Sequence, residues 1–154
     1  MSALARVLIK RGYTVSGSDK QTKQGLKKLQ EEGLMLFQKQ DATNIHKIKH
    51  FEPLIVISTA VPRDNLELQE AQNTGLTIIH RSDILSSLIK QQPSIVVAGS
   101  HGKTTTSTFI ATLLAKTEQD PTAVIGGVIP CFNSNAHAGL GKFLVAEGDE
   151  SDGS

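Results

Sequence analysis

Cysteine is almost absent: Cys131 stands alone among 154 residues. A single thiol excludes a disulfide framework within the chain and a cysteine metal cluster. A chain with no need of an oxidising compartment reads as intracellular. Tryptophan is missing, tyrosine occurs once and aromatic residues amount to 4%, so any core must be built from Ile, Leu, Val and Ala. Charge of one sign is lacking too. The 16 basic and 15 acidic residues leave a formal charge of +1, with no general electrostatic drive toward nucleic acid or an anionic membrane. No apolar run approaches the ~18 residues of a membrane span. The longest, 123–132, holds two glycines and a proline. The opening MSALARVLIKRG is too short and too early charged for a signal peptide.

What is present is an ordinary globular composition, 38% hydrophobic and 20% charged, sized for one domain or parts of two. Leu4, Val7 and Leu8 fall at helical spacing behind Ser2, a plausible N-cap, with Gly12 as a natural stop. Short strands are expected at 13–17, 34–37 and 76–80, and helices at about 22–32, 65–74 (capped by Asn65) and 82–91 (capped by Ser82). Residues 41–51 read as a weaker helix or loop. The run Pro53-Leu-Ile-Val-Ile-Ser is apolar throughout, as expected of a strand buried on both faces of a parallel sheet. The alternation β-α-β-α-β with short connections predicts a parallel α/β sheet with right-handed crossovers. A doubly wound sheet starts with a strand and a glycine loop ahead of its first helix. This chain opens on the helix and closes on a polar DESDGS, so both ends read as cut.

Gln91-Gln92-Pro93 is the expected boundary between two lobes, 1–92 and 93–154. The second opens with an apolar strand at 94–98, followed at once by Gly99-Ser100-His101-Gly102-Lys103-Thr104-Thr105 and a helix to about Lys116. Strand, glycine turn and helix form the context of a phosphate loop. Glycines let the backbone approach an anion, and the first N–H groups of the helix point at its oxygens with the helix dipole behind them. Lys103 can bridge the outer phosphates and the Thr104 hydroxyl can reach Mg²⁺. The loop is shorter than G-x-x-x-x-G-K-[ST], which would need glycine where this chain has Val97. A further strand at 143–146 ends in Glu147, with Asp149, Glu150 and Asp152 behind it. A carboxylate delivered by a strand beside a phosphate loop suits Mg²⁺, and Glu147 is the leading candidate. Strands are also expected at 122–125.

Several of these stretches are similar to the ATP-dependent Mur ligases: G-S-H-G-K-T-T-T at 99–106, E-G-D-E-S-D at 147–152, S-G-S-D at 16–19, S-T-A-V-P at 58–62, H-R-S-D-I-L at 80–85 and the segment Asn135-Ala-His-Ala-Gly-Leu-Gly. The resemblance covers essentially the whole chain. It is closest to the members that join L-alanine to UDP-N-acetylmuramate, which carry His at the position of His101. Family members have Ala where this chain has Gly148. The resemblance implies a Rossmann-like UDP-sugar-binding domain lacking its first strand and G-x-G-G-x-G loop, then the start of a P-loop-type ATPase domain. It also implies that the rest of that domain and an amino-acid-binding domain lie outside these residues.

The chemistry implied by the resemblance uses ATP and Mg²⁺. The lactyl carboxylate of UDP-N-acetylmuramate is phosphorylated, and the amine of L-alanine displaces phosphate from the acyl phosphate. This is a cytoplasmic step of peptidoglycan precursor synthesis. On the family pattern Lys103 is catalytic, 99–105 bind ATP, and Thr104 and Glu147 hold the metal. His101 has two roles open to it, toward the metal or the sugar, beside a plain loop hydrogen bond. Ser18 and Asp19 end one strand and Ser58, Thr59 and Ala60 another, where ligands bind in such sheets; each is a candidate for the UDP-sugar and equally a cap or turn. Two other readings stay open: a murein-peptide recycling ligase, which Ser151 disfavours, and a non-catalytic nucleotide- or UDP-sugar-binding module.

Overall fold

The computed structural model describes residues 1–19 and 24–148, with the Gln24 side chain left out. Asp149, Glu150 and Asp152, named above as weaker acidic candidates, lie outside the described residues. By packing, the chain divides into two compact units, one formed by 1–13 with 85–154 and the other by 14–84.

In the 14–84 unit, β1 (Ser16–Ser18) pairs in parallel with β2 (Met35–Phe37), and β3 (Ile55–Ile57) with β4 (Ile78–His80). These are two separate two-stranded sheets. Helices α2 (Gln24–Glu31), α3 (Ala42–Ile48) and α4 (Leu66–Asn73) alternate with them, giving the β-α-β order that the periodicity predicts. Asn65 caps α4 as expected, accepting from the backbone N–H of Glu67 and Leu68 at 3.0 Å each. Asp41 caps α3, and its hydrogen bonds to Thr43 hold its carboxyl below the ordinary carboxylate value. β3 is less buried than its sequence suggests: all three residues are half-buried, because among the described residues β4 is its only strand partner.

Helix α5 (Arg81–Lys90) begins one residue before its expected cap Ser82. At that end Asp83 accepts the His80 N–H at 2.9 Å, and the Ser82 hydroxyl lies 2.8 Å from His80 Nδ1.

The other unit is built on a four-stranded sheet of order β5-β8-β6-β7. β5 (Ser94–Val97), β8 (Leu144–Glu147) and β6 (Thr122–Ile129) run parallel, and β7 (Ser134–His137) pairs antiparallel with β6. β6 extends four residues beyond the expected strand, and β7 is a strand the sequence reading did not contain. Helix α6 (Lys103–Lys116) packs on β5, β6 and β8. Ala111, Ala123, Ile125, Ile129 and Val145 form the core beneath it, with Ile110, Leu114 and Phe132 against them. This is the aliphatic interior that the composition requires.

Helix α1 (Ser2–Lys10) packs on β6 and β7. Ser2 lies inside the helix rather than capping it; its hydroxyl accepts from Asn135 Nδ2 at 3.2 Å. Buried Arg6 donates to Ser134 Oγ at 2.6 Å and to Asn135 Oδ1 at 3.2 Å.

At one end of the β6–β7 pair the loop before β6 and the loop after β7 interlock. Asp120 accepts from the Leu140 N–H and from His137 Nε2, each at 2.7 Å, and its carboxyl is held below the ordinary value by these two bonds in that order. The His137 ring stacks on Phe132 at 3.9 Å. The Gly141 N–H bonds the Asp120 carbonyl at 2.9 Å. A Cβ on Gly141 would lie 1.7 Å from the Gln119 carbonyl oxygen, so no other residue fits there.

Candidate functional site

The site is built where β5, β8 and α6 meet. β5 and β8 are parallel neighbours with Val97 opposite Glu147. Two residues after Val97 the chain enters the glycine loop, so the carboxylate end of β8 arrives beside the loop because the sheet is parallel. The Gly148 N–H bonds the Val97 carbonyl at 2.9 Å and extends the ladder past Glu147.

The loop runs from Gly99 to Gly102. Both glycines have positive φ, 135° and 77°, a region that side-chain-bearing residues rarely adopt. Gly102 takes the N-cap position of α6, and no side chain caps that end. The first amides of a 14-residue helix are thus presented at the loop with the positive end of the dipole, the arrangement that binds anions. Ser100, His101, Thr104 and Thr105 are exposed around it. Lys103 turns back over the loop and donates from Nζ to the Gly99 carbonyl at 2.5 Å.

Thr104 and Glu147 meet over β6. A Cβ on Gly126 would lie 2.8 Å from Glu147 Oε2 and 3.8 Å from Thr104 Oγ1. A Cβ on Gly127 would lie 2.6 Å from Thr104 Cγ2. The two glycines therefore clear the space in which the hydroxyl and carboxylate converge. They sit where the β6–β7 register shifts, between Val124 and Ile129, an irregularity of the kind found beside functional sites. The sequence reading passed over both glycines. It also passed over Ser107, fully buried on α6, whose hydroxyl reaches Glu147 Oε1 at 3.0 Å.

Among the described residues no three His, Cys, Asp or Glu side chains form a metal-binding group. One carboxylate and one hydroxyl beside an anion-binding loop fit Mg²⁺, which keeps waters and takes its remaining ligands from substrate phosphates.

The other candidates belong to the 14–84 unit. Ser18 ends β1, and its hydroxyl donates to Glu67 Oε2 at 2.5 Å. Glu67 Oε1 accepts from Asn44 Nδ2 at 2.7 Å, and buried Asn44 also donates to the Lys39 carbonyl at 2.7 Å. Glu67 and Asn44 thus tie the end of β1 to the starts of α3 and α4. Neither stands in a motif the sequence reading used. Asp19 follows Ser18 directly. Ser58, Thr59 and Ala60 form the turn after β3, closed by the Val61 N–H on the Ser58 carbonyl at 3.0 Å. Both sets leave the C-terminal ends of strands.

The sequence profile described as Mur ligase family, catalytic domain, matches residues 1–93. A UDP-N-acetylmuramate–L-alanine ligase of a Synechococcus species is 58% identical over the whole of this chain, which covers 34% of that protein. The ligase of the same name from Prochlorococcus marinus is 57% identical, with 32% of its length covered. The chain thus spans about a third of the length of these relatives. Among solved structures, the UDP-N-acetylmuramate–alanine ligase of Thermotoga maritima aligns with TM-score 0.87 at 29% identity, over 98% of this chain and 35% of that one. The UDP-N-acetylmuramate:L-alanyl-γ-D-glutamyl-meso-diaminopimelate ligase of Neisseria meningitides aligns with TM-score 0.87 at 28% identity, over 99% of this chain and 50% of that one. With the family profile on 1–93 and these likenesses running through the phosphate loop to the end of β8, the chain belongs to the Mur ligase family.

Proposed function

We propose that this chain is the UDP-sugar-binding and phosphate-binding portion of a cytoplasmic, ATP- and Mg²⁺-dependent ligase. That ligase joins L-alanine to UDP-N-acetylmuramate in peptidoglycan precursor synthesis. In this reading residues 1–92 serve the UDP-sugar and 93–154 open the ATP-binding domain. The carrying observation is the convergence of Thr104 Oγ1 and Glu147 Oε2 over Gly126, beside the uncapped start of α6 and Lys103.

Thr104 and Glu147 hold the metal, which supplies positive charge on the phosphoryl oxygens. The loop amides bind the phosphates and fix the direction of in-line transfer. Lys103 exchanges the Gly99 carbonyl for phosphate oxygen and neutralises charge that grows as the γ-phosphoryl leaves ADP for the lactyl carboxylate. The amine of L-alanine then attacks the acyl carbon, a proton is lost and inorganic phosphate departs. Ser18, Asp19 and Ser58–Ala60 are the side chains proposed for the UDP-sugar, with His101 facing either the metal or the sugar.

The alanine-adding reading is supported over murein-peptide ligation by the 58% and 57% identities to curated alanine ligases; the solved alanine and peptide ligases, at 29% and 28% identity, do not separate the two. In a ligase of full family length carrying this sequence, Lys103→Ala should abolish acyl-phosphate formation, followed by ADP release, and leave UDP-N-acetylmuramate affinity within about twofold, since uniform binding elsewhere is untouched. Equal loss of both overturns the assignment of separate sites.

A further inference from the structure

Glu147 has two carboxylate oxygens, and the structure gives them different surroundings. Oε2 lies over Gly126 with Thr104 Oγ1 nearby. Oε1 lies 3.0 Å from Ser107 Oγ. Ser107 is fully buried, and its hydroxyl also lies 2.8 Å from the Lys103 carbonyl and 3.2 Å from the Thr104 carbonyl. A hydroxyl has one proton to give. Three acceptors compete for it, and a carboxylate oxygen accepts more strongly than a peptide carbonyl. The serine comes one helical turn after Lys103, so the helix that carries the phosphate-binding lysine also carries the group that fixes the carboxylate.

We propose that Ser107 is a positioning residue for cation binding: its hydroxyl occupies Glu147 Oε1, fixes the carboxylate rotamer and leaves Oε2 as the oxygen offered to the metal beside Thr104. This rests on the reading of Thr104 and Glu147 as the metal site. The arrangement couples the loop to the carboxylate without direct contact between Ser107 and substrate. It also accounts for a hydroxyl at a fully buried helix position whose neighbour on the same face, Ala111, is part of the apolar core. A group that orients a metal ligand from behind commonly controls metal affinity about tenfold or more.

The test uses Mn²⁺ as the probe, followed by electron paramagnetic resonance in the presence of ADP, on a ligase of full family length carrying this sequence and on its variants. Ser107→Ala should weaken Mn²⁺ binding about tenfold and leave ADP affinity in chelator unchanged. Ser107→Thr, which keeps the hydroxyl, should retain most of the metal affinity. In a Glu147→Gln background Ser107→Ala should have no further effect on Mn²⁺. Tight Mn²⁺ binding in Ser107→Ala, with Glu147→Gln and Thr104→Ala both weakened, overturns the role of Ser107 and leaves the metal site standing. Unchanged Mn²⁺ binding in Glu147→Gln and Thr104→Ala overturns the metal site and the role of Ser107 with it. A loss of ADP affinity in chelator equal to the loss of Mn²⁺ shows a merely structural serine and also overturns the proposal.

Discussion

β8 and β3 are both short, apolar strands in parallel pairing, and they are buried to different depths. Leu144, Val145 and Ala146 of β8 are each fully buried, whereas Ile55, Val56 and Ile57 of β3 are half-buried. The residue types would suggest the reverse, because β3 holds the more strongly β-forming side chains. Placement decides it. β8 lies between β5 and β6 with α6 packed on it, while among the described residues β3 has β4 alone. The unit with the phosphate loop is held by apolar packing. In the unit with Ser18 the end of β1 is held by a polar tie, the Ser18–Glu67–Asn44 cluster. Chemistry that needs fixed donors is thereby seated on the better-packed sheet.

Five substitutions probe that contrast. The largest effect is expected at Gly141. A methyl group there collides with the Gln119 carbonyl at 1.7 Å, and backbone on both sides must move. Gly141→Ala should cost about 3 kcal/mol or more, read as a lower denaturant midpoint for the phosphate-loop unit. Next comes a paired test of the two strands. Leu144→Ala should cost about 3 kcal/mol, while Val56→Ala, already half exposed, should cost about 1 kcal/mol. Equal losses by urea unfolding would erase the distinction.

A smaller effect belongs to Asp120. Its folded-state pKa is depressed, so its contribution is complete above the ordinary carboxylate value of 3.8 and disappears as pH falls through the lower folded value. With its side chain 47% exposed, that contribution is below about 1 kcal/mol. Asp120→Asn should therefore be slightly less stable than the parent at pH 7, and the gap should close below about pH 3.8. A gap that widens in acid would reverse the sign. The smallest effect is a gain. A Cβ on Gly148 would touch Val96 Cγ1 at 3.4 Å and Ala98 Cβ at 3.5 Å, ordinary van der Waals contacts. Gly148→Ala should raise stability by about 0.5 kcal/mol through fewer unfolded conformations. A lower melting temperature would show that the position needs glycine.

The parts of the fold legible in the sequence are those specified by neighbours along the chain. Gly99 and Gly102, with Lys103 directly after, announce a turn into a helix, and the turn forms there with both glycines at positive φ. Asn65 announces a cap and makes one. Ser82 looks like a cap as well, but α5 starts at Arg81, which puts Ser82 inside the first turn with its hydroxyl 2.8 Å from His80 Nδ1. β7 was invisible because Ser-Asn-Ala-His holds no β-branched residue; pairing with β6 makes it a strand. The floor of the site was hidden for the same kind of reason. Gly126 and Gly127 look like interruptions of an apolar run, and their use emerges only when β6 passes beneath Glu147 and Thr104. Ser107 looks like one more hydroxyl in a Thr-rich helix until its partner 40 residues away is known.

Lys103 rests on the Gly99 carbonyl, and that contact sets the thermodynamic character of any phosphate that enters the loop. Rotamer freedom worth up to about 2 kcal/mol for a lysine is already surrendered when the chain folds. The ammonium is therefore preorganised, and the ligand meets a charge already in place. Its binding enthalpy at this group is the difference between two charge-assisted hydrogen bonds, one broken and one made, so discrimination among anions at this loop rests on how much better an acceptor each is than a peptide carbonyl.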